Sequence, residues 1–226
     1  MEPWFAEAVP VESLKAEICF LIRPDFYFGP DRPTDPSDLQ KLVVPLSIPK
    51  IPRATESMVR TVEAVGYESE LVAYYEQIVR LAREHRRPFN SIRHHFWLRF
   101  WLWNEAQKIH ISFPWYDSFS EIDRFMGAIS RASDGLVDHD LEQGWEMEVH
   151  RQNDALFFRE CDPDADETYL VASTSREKLV AELAGLRERV VGLIDHLSKS
   201  MGADVWTAYV RDEPTFRDKR SWWRRW

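Results

Sequence analysis

Between Trp145 and Ala172 the chain alternates apolar and polar residues in three short runs separated by turn residues, and a period of two over such lengths admits little besides an antiparallel β-meander. Trp145, Met147 and Val149 alternate with Glu146, Glu148 and His150. Gln152-Asn153-Asp154 turns the chain, and Leu156 and Phe158 return inward with Arg159 outward. Asp162 to Glu167 make a second turn, and Tyr169 to Ala172 a third strand.

Other segments supply partners for this sheet. Leu14, Ala16, Ile18, Phe20 and Ile22 alternate with Lys15, Glu17, Cys19, Leu21 and Arg23, which predicts a half-buried strand that Phe26-Tyr27-Phe28 continues after a break. Phe96 to Trp103 is apolar on both faces apart from Arg99 and predicts a strand covered on both sides. Glu105 to Lys108 then turns the chain into Ile109, Ile111 and Phe113, giving a hairpin.

Helices are predicted over four stretches. Thr55 caps the first, with Met58, Val59, Val62 and Val65 as its stripe and Gly66 at its end. Ser69 caps the second, with Leu71, Tyr75, Ile78, Val79 and Ala82 facing inward and His85-Arg86-Arg87-Pro88 stopping it. Ser118 with Glu121, and Thr174 with Glu177, read as capping boxes. The third helix buries Ile122, Phe125, Met126 and Ile129. The fourth carries Leu179, Leu183, Leu186, Val190, Leu193 and Leu197 on one stripe, closed by Gly202.

Residues 24–52 hold seven of the 13 prolines, and proline removes a donor and fixes φ, so this stretch reads as an extended loop wrapping the body. The class expected is α+β: one domain over 1–226, an antiparallel β-sheet with helices packed against it and a long Pro-rich loop near the N-terminus. Residues 211–226 form a basic, tryptophan-rich tail of the kind that chain ends leave disordered.

The net charge of -9 is concentrated in one place. Residues 131–170 hold 12 acids and three bases, Arg131, Arg151 and Arg159, while the remainder holds 26 of each sign. Such a field repels nucleic acid and anionic membrane and attracts basic partners or cations. No run of about 18 apolar residues exists, so no membrane span is expected. Met1-Glu2-Pro3-Trp4 lacks the cations of a secretory signal, so a cytoplasmic location is expected.

Catalytic signatures are missing. The eight glycines form no phosphate-binding loop and no nucleophile elbow, and HExxH is absent. His94 and His95, adjacent in a predicted strand, point to opposite faces. Asp138-His139-Asp140 is compact but has no second ligand segment. Asp162, Asp164 and Asp166 resemble the start of a calcium loop, yet Glu167 stands where its glycine belongs and Ser173 where its glutamate belongs. Cys19 and Cys161 cannot build a disulfide framework, and carboxylates around Cys161 oppose a thiolate. Trp97, Trp101 and Trp103 share one strand face, which suits core under a helix.

No catalytic residue, metal or cofactor is assigned. The function expected is a non-catalytic acidic protein that docks on a basic protein partner, as an immunity or antitoxin-type inhibitor docks on a toxin. Its docking residues are Asp138, Asp140, Glu142, Glu146, Glu148, Asp162, Asp164, Asp166 and Glu167. The alternatives are an enzyme with an acid/base site among His110, Glu146, Glu148, His150 and Arg159, or a scaffolding protein that self-associates through tryptophan patches.

Overall fold

The alternation after Trp145 does form antiparallel strands, in a computed structural model that describes residues 2–29, 33, 35–112, 118–142, 144–165 and 167–207. The strands are β1 (Val9–Val11), β2 (Lys15–Leu21), β3 (Asp25–Tyr27), β4 (Val43–Pro45), β5 (Met58–Arg60), β6 (Leu98–Asn104), β7 (Ile109–Ile111), β8 (Gly135–Glu142), β9 (Trp145–Gln152), β10 (Ala155–Asp162) and β11 (Glu167–Ser175). The helices are α1 (Pro36–Gln40), α2 (Thr61–Ala64), α3 (Glu68–Glu84), α4 (Phe89–Ile92), α5 (Phe119–Arg131) and α6 (Arg176–Met201), with 3-10 turns at Pro3–Glu7 and Arg93–His95. The class is α+β. The described residues fall into two compact units, one within Met1–Glu17 and Arg99–Glu188, the other within Ile18–Leu98 and Arg189–Trp226.

The first unit is built on a five-stranded sheet, ordered β1-β11-β10-β9-β8, in which only the β1–β11 pair is parallel. The expected three-stranded meander has a fourth strand, β8, that the sequence pattern hides. Its register shifts between Leu136 and Asp138, so a bulge at Val137 breaks the alternation in an acidic stretch. Period two places Met147, Val149, Leu156, Phe158 and Ala172 on the inner face, all fully buried. The predicted stripes of α5 and the first half of α6 are buried as well. Arg187 Nε and Nη2 bind both carboxylate oxygens of Asp123 at 2.5 and 3.1 Å, joining the two helices.

Two capping boxes do not form. Ser118 precedes α5 without a capping hydrogen bond, its Oγ lying 2.9 Å from Ser120 Oγ. Thr174 lies within β11 and its hydroxyl donates to Val11 O at 3.0 Å, holding the parallel edge instead of a helix end. The β6–β7 hairpin turns where predicted, with Trp103 opposite His110, but the two faces of β6 are not equally covered. Phe100 and Leu102 are buried, while Arg99, Trp101 and Trp103 are half-buried, as side chains with polar ends tolerate.

In the second unit the helix expected from Thr55 is displaced. Met58–Arg60 pairs with Cys19–Leu21 as a strand, and only Thr61–Ala64 is helical. Glu63 accepts from Arg60 N at 2.9 Å and from Arg60 Nη2 at 2.7 Å, closing the turn, and Val62 and Val65 are exposed. β2 is buried on both faces from Ala16 on, because Cys19 and Leu21 make its second face apolar too. The stripe of α3 is buried as predicted, although the helix starts at Glu68, before Ser69.

The Pro-rich stretch is not a bare loop. Pro36 occupies the first turn of α1, where its missing N–H costs nothing, and Asp35 accepts from Ser37 N at 2.7 Å. β3 and β4 form their own two-stranded ribbon, so Phe26 does not continue β2. The tail over 211–226 lies outside the described residues, as does Phe113.

Past Gly202, Trp206 plugs the second unit, a residue that periodicity does not reveal. It is fully buried, edge-on to Tyr75 at 5.2 Å, Phe96 at 5.9 Å and Phe20 at 6.2 Å. Its amide and that of Thr207 both donate to Asp204 Oδ1. Trp206→Ala is expected to cost roughly 3–5 kcal/mol in chemical denaturation. Trp206→Phe should cost less, because it also deletes a buried indole N–H that lacks a partner.

Candidate functional site

The face of the five-stranded sheet opposite its apolar core carries the polar half of the alternation. β9 contributes Glu146, Glu148 and His150, and β10 contributes Phe157, Arg159 and Cys161 directly opposite them. β8 adds His139, the cross-strand partner of Glu148. The 3-10 turn Pro3–Glu7 covers one end of this face, with Phe5 stacked on Phe157 at 4.2 Å and Trp4 edge-on to His150 at 5.5 Å.

These side chains form one charge network. Arg159 Nη2 lies 3.3 Å from Glu148 Oε1 and 3.7 Å from Glu146 Oε2, with its guanidinium 5.7 Å from the Trp4 ring centroid. His139 Nε2 is 2.8 Å from Glu146 Oε1, and His150 Nε2 is 3.4 Å from Glu148 Oε2. The Cys161 thiol donates to Glu146 Oε2 at 3.2 Å. The two glutamate side chains are only 16% and 20% exposed, so the Arg159 guanidinium and the imidazole contacts offset a real desolvation cost.

The network sets the protonation states. The hydrogen bond from His139 holds Glu146 below the usual carboxylate range, against a smaller opposing effect of burial. Burial, followed by the hydrogen bond to Glu146, pushes the Cys161 thiol up to about 11. At neutral pH an ionised Glu146 cannot serve as a general acid, and a protonated Cys161 is not a nucleophile.

The remaining predicted residues divide by position. Asp138 and Asp140 flank His139 and point to the other side of β8, so they cannot chelate with it. Asp138 lies 3.7 Å from Arg124 of α5, and burial raises it above the usual carboxylate range despite that cation. Glu142 ends β8 as the partner of Trp145. Asp162 Oδ1 accepts from the amides of Asp164 and Ala165 at 2.9 and 3.1 Å, so it builds the β10–β11 turn. Asp164 and Glu167 are exposed there, and Asp166 lies outside the described residues.

Of the five groups of the acid/base alternative, Glu146, Glu148, His150 and Arg159 meet. His110 is instead 5.7 Å from the Trp101 ring on the β6–β7 hairpin. Trp101 and Trp103 lie 5.5 Å apart, whereas Trp97 precedes β6 and lies beside His94. His94 and His95 sit in a 3-10 turn rather than a strand. Sequence reasoning grouped His139 with Asp138 and Asp140 and missed its true neighbours, Glu146 and Glu148, because β8 was hidden; it also missed Trp4, for which the sequence offers no signal.

His139, Glu146 and Glu148 could each offer a metal one ligand atom, all within 4.8 Å of one another. The Arg159 guanidinium already supplies the positive charge between the two carboxylates, so a cation there would have to displace it. Among the described residues, no helix is long and apolar enough to cross a membrane. In comparisons with known proteins, no family model, no curated protein and no solved structure matches the chain.

Two outcomes test the network. With a thiol near 11 instead of 9.0, the Cys161 thiolate fraction at pH 8 is about a hundredfold below that of a free thiol. Iodoacetamide labelling followed by peptide mass mapping should therefore be slow in the native protein and faster in Glu146→Gln. Glu146 has a depressed folded pKa, so its contribution to stability is complete above the unfolded value of 4.5 and lost as pH falls through the lower folded one. The Tm gap between the wild type and Glu146→Gln should be full above pH 4.5 and narrow progressively as pH falls below it. A gap that instead widens on acidification would contradict the assignment.

Proposed function

We propose that the chain is a non-catalytic binding protein whose acidic sheet end docks on a basic protein surface. The β8–β9 and β10–β11 turns lie side by side, since a Cβ on Gly144 would come within 3.8 Å of the Asp162 carboxylate. Asp162, Asp164 and Glu167 gather there with two exposed apolar side chains, Leu141 at 60% and Tyr169 at 51%. An exposed tyrosine and leucine among like charges is the observation that favours docking over a merely solvated face, because aromatic and aliphatic anchors inside a charged rim are what interfaces use.

The docking charge is narrower than the acidic segment as a whole. Glu146 and Glu148 already face the Arg159 guanidinium, Glu146 is hydrogen-bonded to His139 as well, and Asp138 faces Arg124. What is left for a partner is the turn end, where complementary charge would speed encounter and exclude acidic competitors. An inhibitor of a basic enzyme, of the immunity or antitoxin kind, is the class of protein this surface would serve.

The test is capture from a lysate by the immobilised full chain, compared with Asp164→Lys plus Glu167→Lys. Both positions are exposed, so the reversed variant should keep its Tm. The reading expects the captured proteins to be basic, to be released by roughly 0.5 M salt, and to be lost with the reversal. Captured proteins that are not basic, or capture indifferent to salt and reversal, would overturn it.

A further inference from the structure

The second unit holds a cavity of about 270 Å³ that the docking reading does not use. It lies between the β3–β4 ribbon, Leu39 of α1 and the Arg93–His95 turn, and Arg23, Asp25, Tyr27, His94 and His95 supply its polar lining.

His95 is 1% exposed, yet neither of its ring nitrogens has a hydrogen-bond partner among the described residues. Phe26 stacks on its ring at 5.7 Å and the His94 ring lies 4.4 Å away, so the imidazole is fixed by packing with its nitrogens unspent. A buried polar group left unpaired costs about 1–3 kcal/mol, and native structures rarely carry one without a reason.

Arg23 repeats the pattern. Its backbone is clamped at both ends by Tyr74, whose hydroxyl accepts from Arg23 N at 2.7 Å and donates to Arg23 O at 3.1 Å. Its Nε is buried without a partner, and the guanidinium makes no ion pair among the described residues. An arginine held by its backbone and a packed imidazole with unpartnered nitrogens thus both belong to the lining of one small cavity, residue types matched to a planar or tetrahedral oxyanion.

We propose that this cavity is a binding site for a small oxyanion, a carboxylate or a phosphate group, held by the Arg23 guanidinium and the His95 imidazole. Leu39 and Val43 would cover the apolar side of a ligand that carries the anion, and the Asp25 carboxylate at the exposed rim disfavours more than one or two negative charges.

Anion binding is coupled to protons here. Burial is the main reason that His94 is pulled down to about 4 and His95 well below its usual value, with Arg23 adding to both. Arg23, Asp25, Tyr27 and His94 share the cavity with His95, Tyr74 holds the Arg23 backbone and His85 lies against the other partner ring, Phe26; an anion seated between Arg23 and His95 offsets the Arg23 charge. It therefore raises the His95 pKa, and binding tightens as pH falls.

The experiment is calorimetric titration of the full chain with inorganic phosphate and, separately, with acetate, alongside NMR of the histidine ring protons. Saturable binding of either anion below about 10 mM, shifting the His94 and His95 ring signals, is the expected result. Response to acetate alone identifies a carboxylate site, and response to phosphate a phosphate site. Arg23→Gln and His95→Phe should each weaken binding roughly tenfold or more. His95→Phe should also hold or raise Tm, because it removes an unpaired buried polar group, so loss of binding there is not loss of fold. No saturable binding of either anion, or binding equal in wild type and both variants, overturns the proposal. Neither result bears on capture of basic proteins by the other unit, so the two readings fail separately.

Discussion

The pairing of β9 with β10 governs what the first unit presents to its surroundings. Phe158 opposite Val149 and Arg159 opposite Glu148 fix which half of each strand faces the helices. A slip of one residue would turn Glu146, Glu148 and Arg159 into the core and expose Met147, Val149 and Phe158. The apolar half fixes the register. The charged half must then satisfy itself on the outer face, which it does through the Arg159 fork, His139 and the Trp4 cover. Asp164 and Glu167, exposed on the β10–β11 turn, carry charge that this network does not use.

Much of this was legible in the sequence, and the residues show why. Trp145 to Ala172 declared itself because its alternation is unbroken and its turns hold Asn153 and Asp162. The long stripe from Leu179 to Leu197 did so because six leucine and valine positions keep helical spacing. That Arg159 points outward followed from the alternation, while its place opposite Glu148 needed the register of the hairpin. β8 was hidden by one bulge, since an extra residue at Val137 scrambles the period that identifies a strand. Met58 to Val65 misled for a related reason: strand and helix patterns coincide over so few residues, and pairing with Cys19–Leu21 decided between them.

Proline and histidine account for the other differences. Proline excludes helix interiors and central strands, but it suits a helix's first turn and a sheet edge, so Pro36 and Pro45 sit comfortably in α1 and β4. The chemistry of the second unit could not be read from spacing. Arg23 and His95 are far apart in the chain, and only the fold shows that both line one cavity with polar atoms unpaired.

The central claim is that strand register divides the carboxylates into those that hold the sheet and those that meet a partner. A double-mutant cycle on Glu148→Gln and Arg159→Met, read by chemical denaturation and by capture of basic proteins, tests it most directly. The account predicts a coupling energy of about 1 kcal/mol in stability and undiminished capture by Glu148→Gln. Additive stability effects within about 0.3 kcal/mol, together with capture abolished by Glu148→Gln in a folded protein, would contradict it.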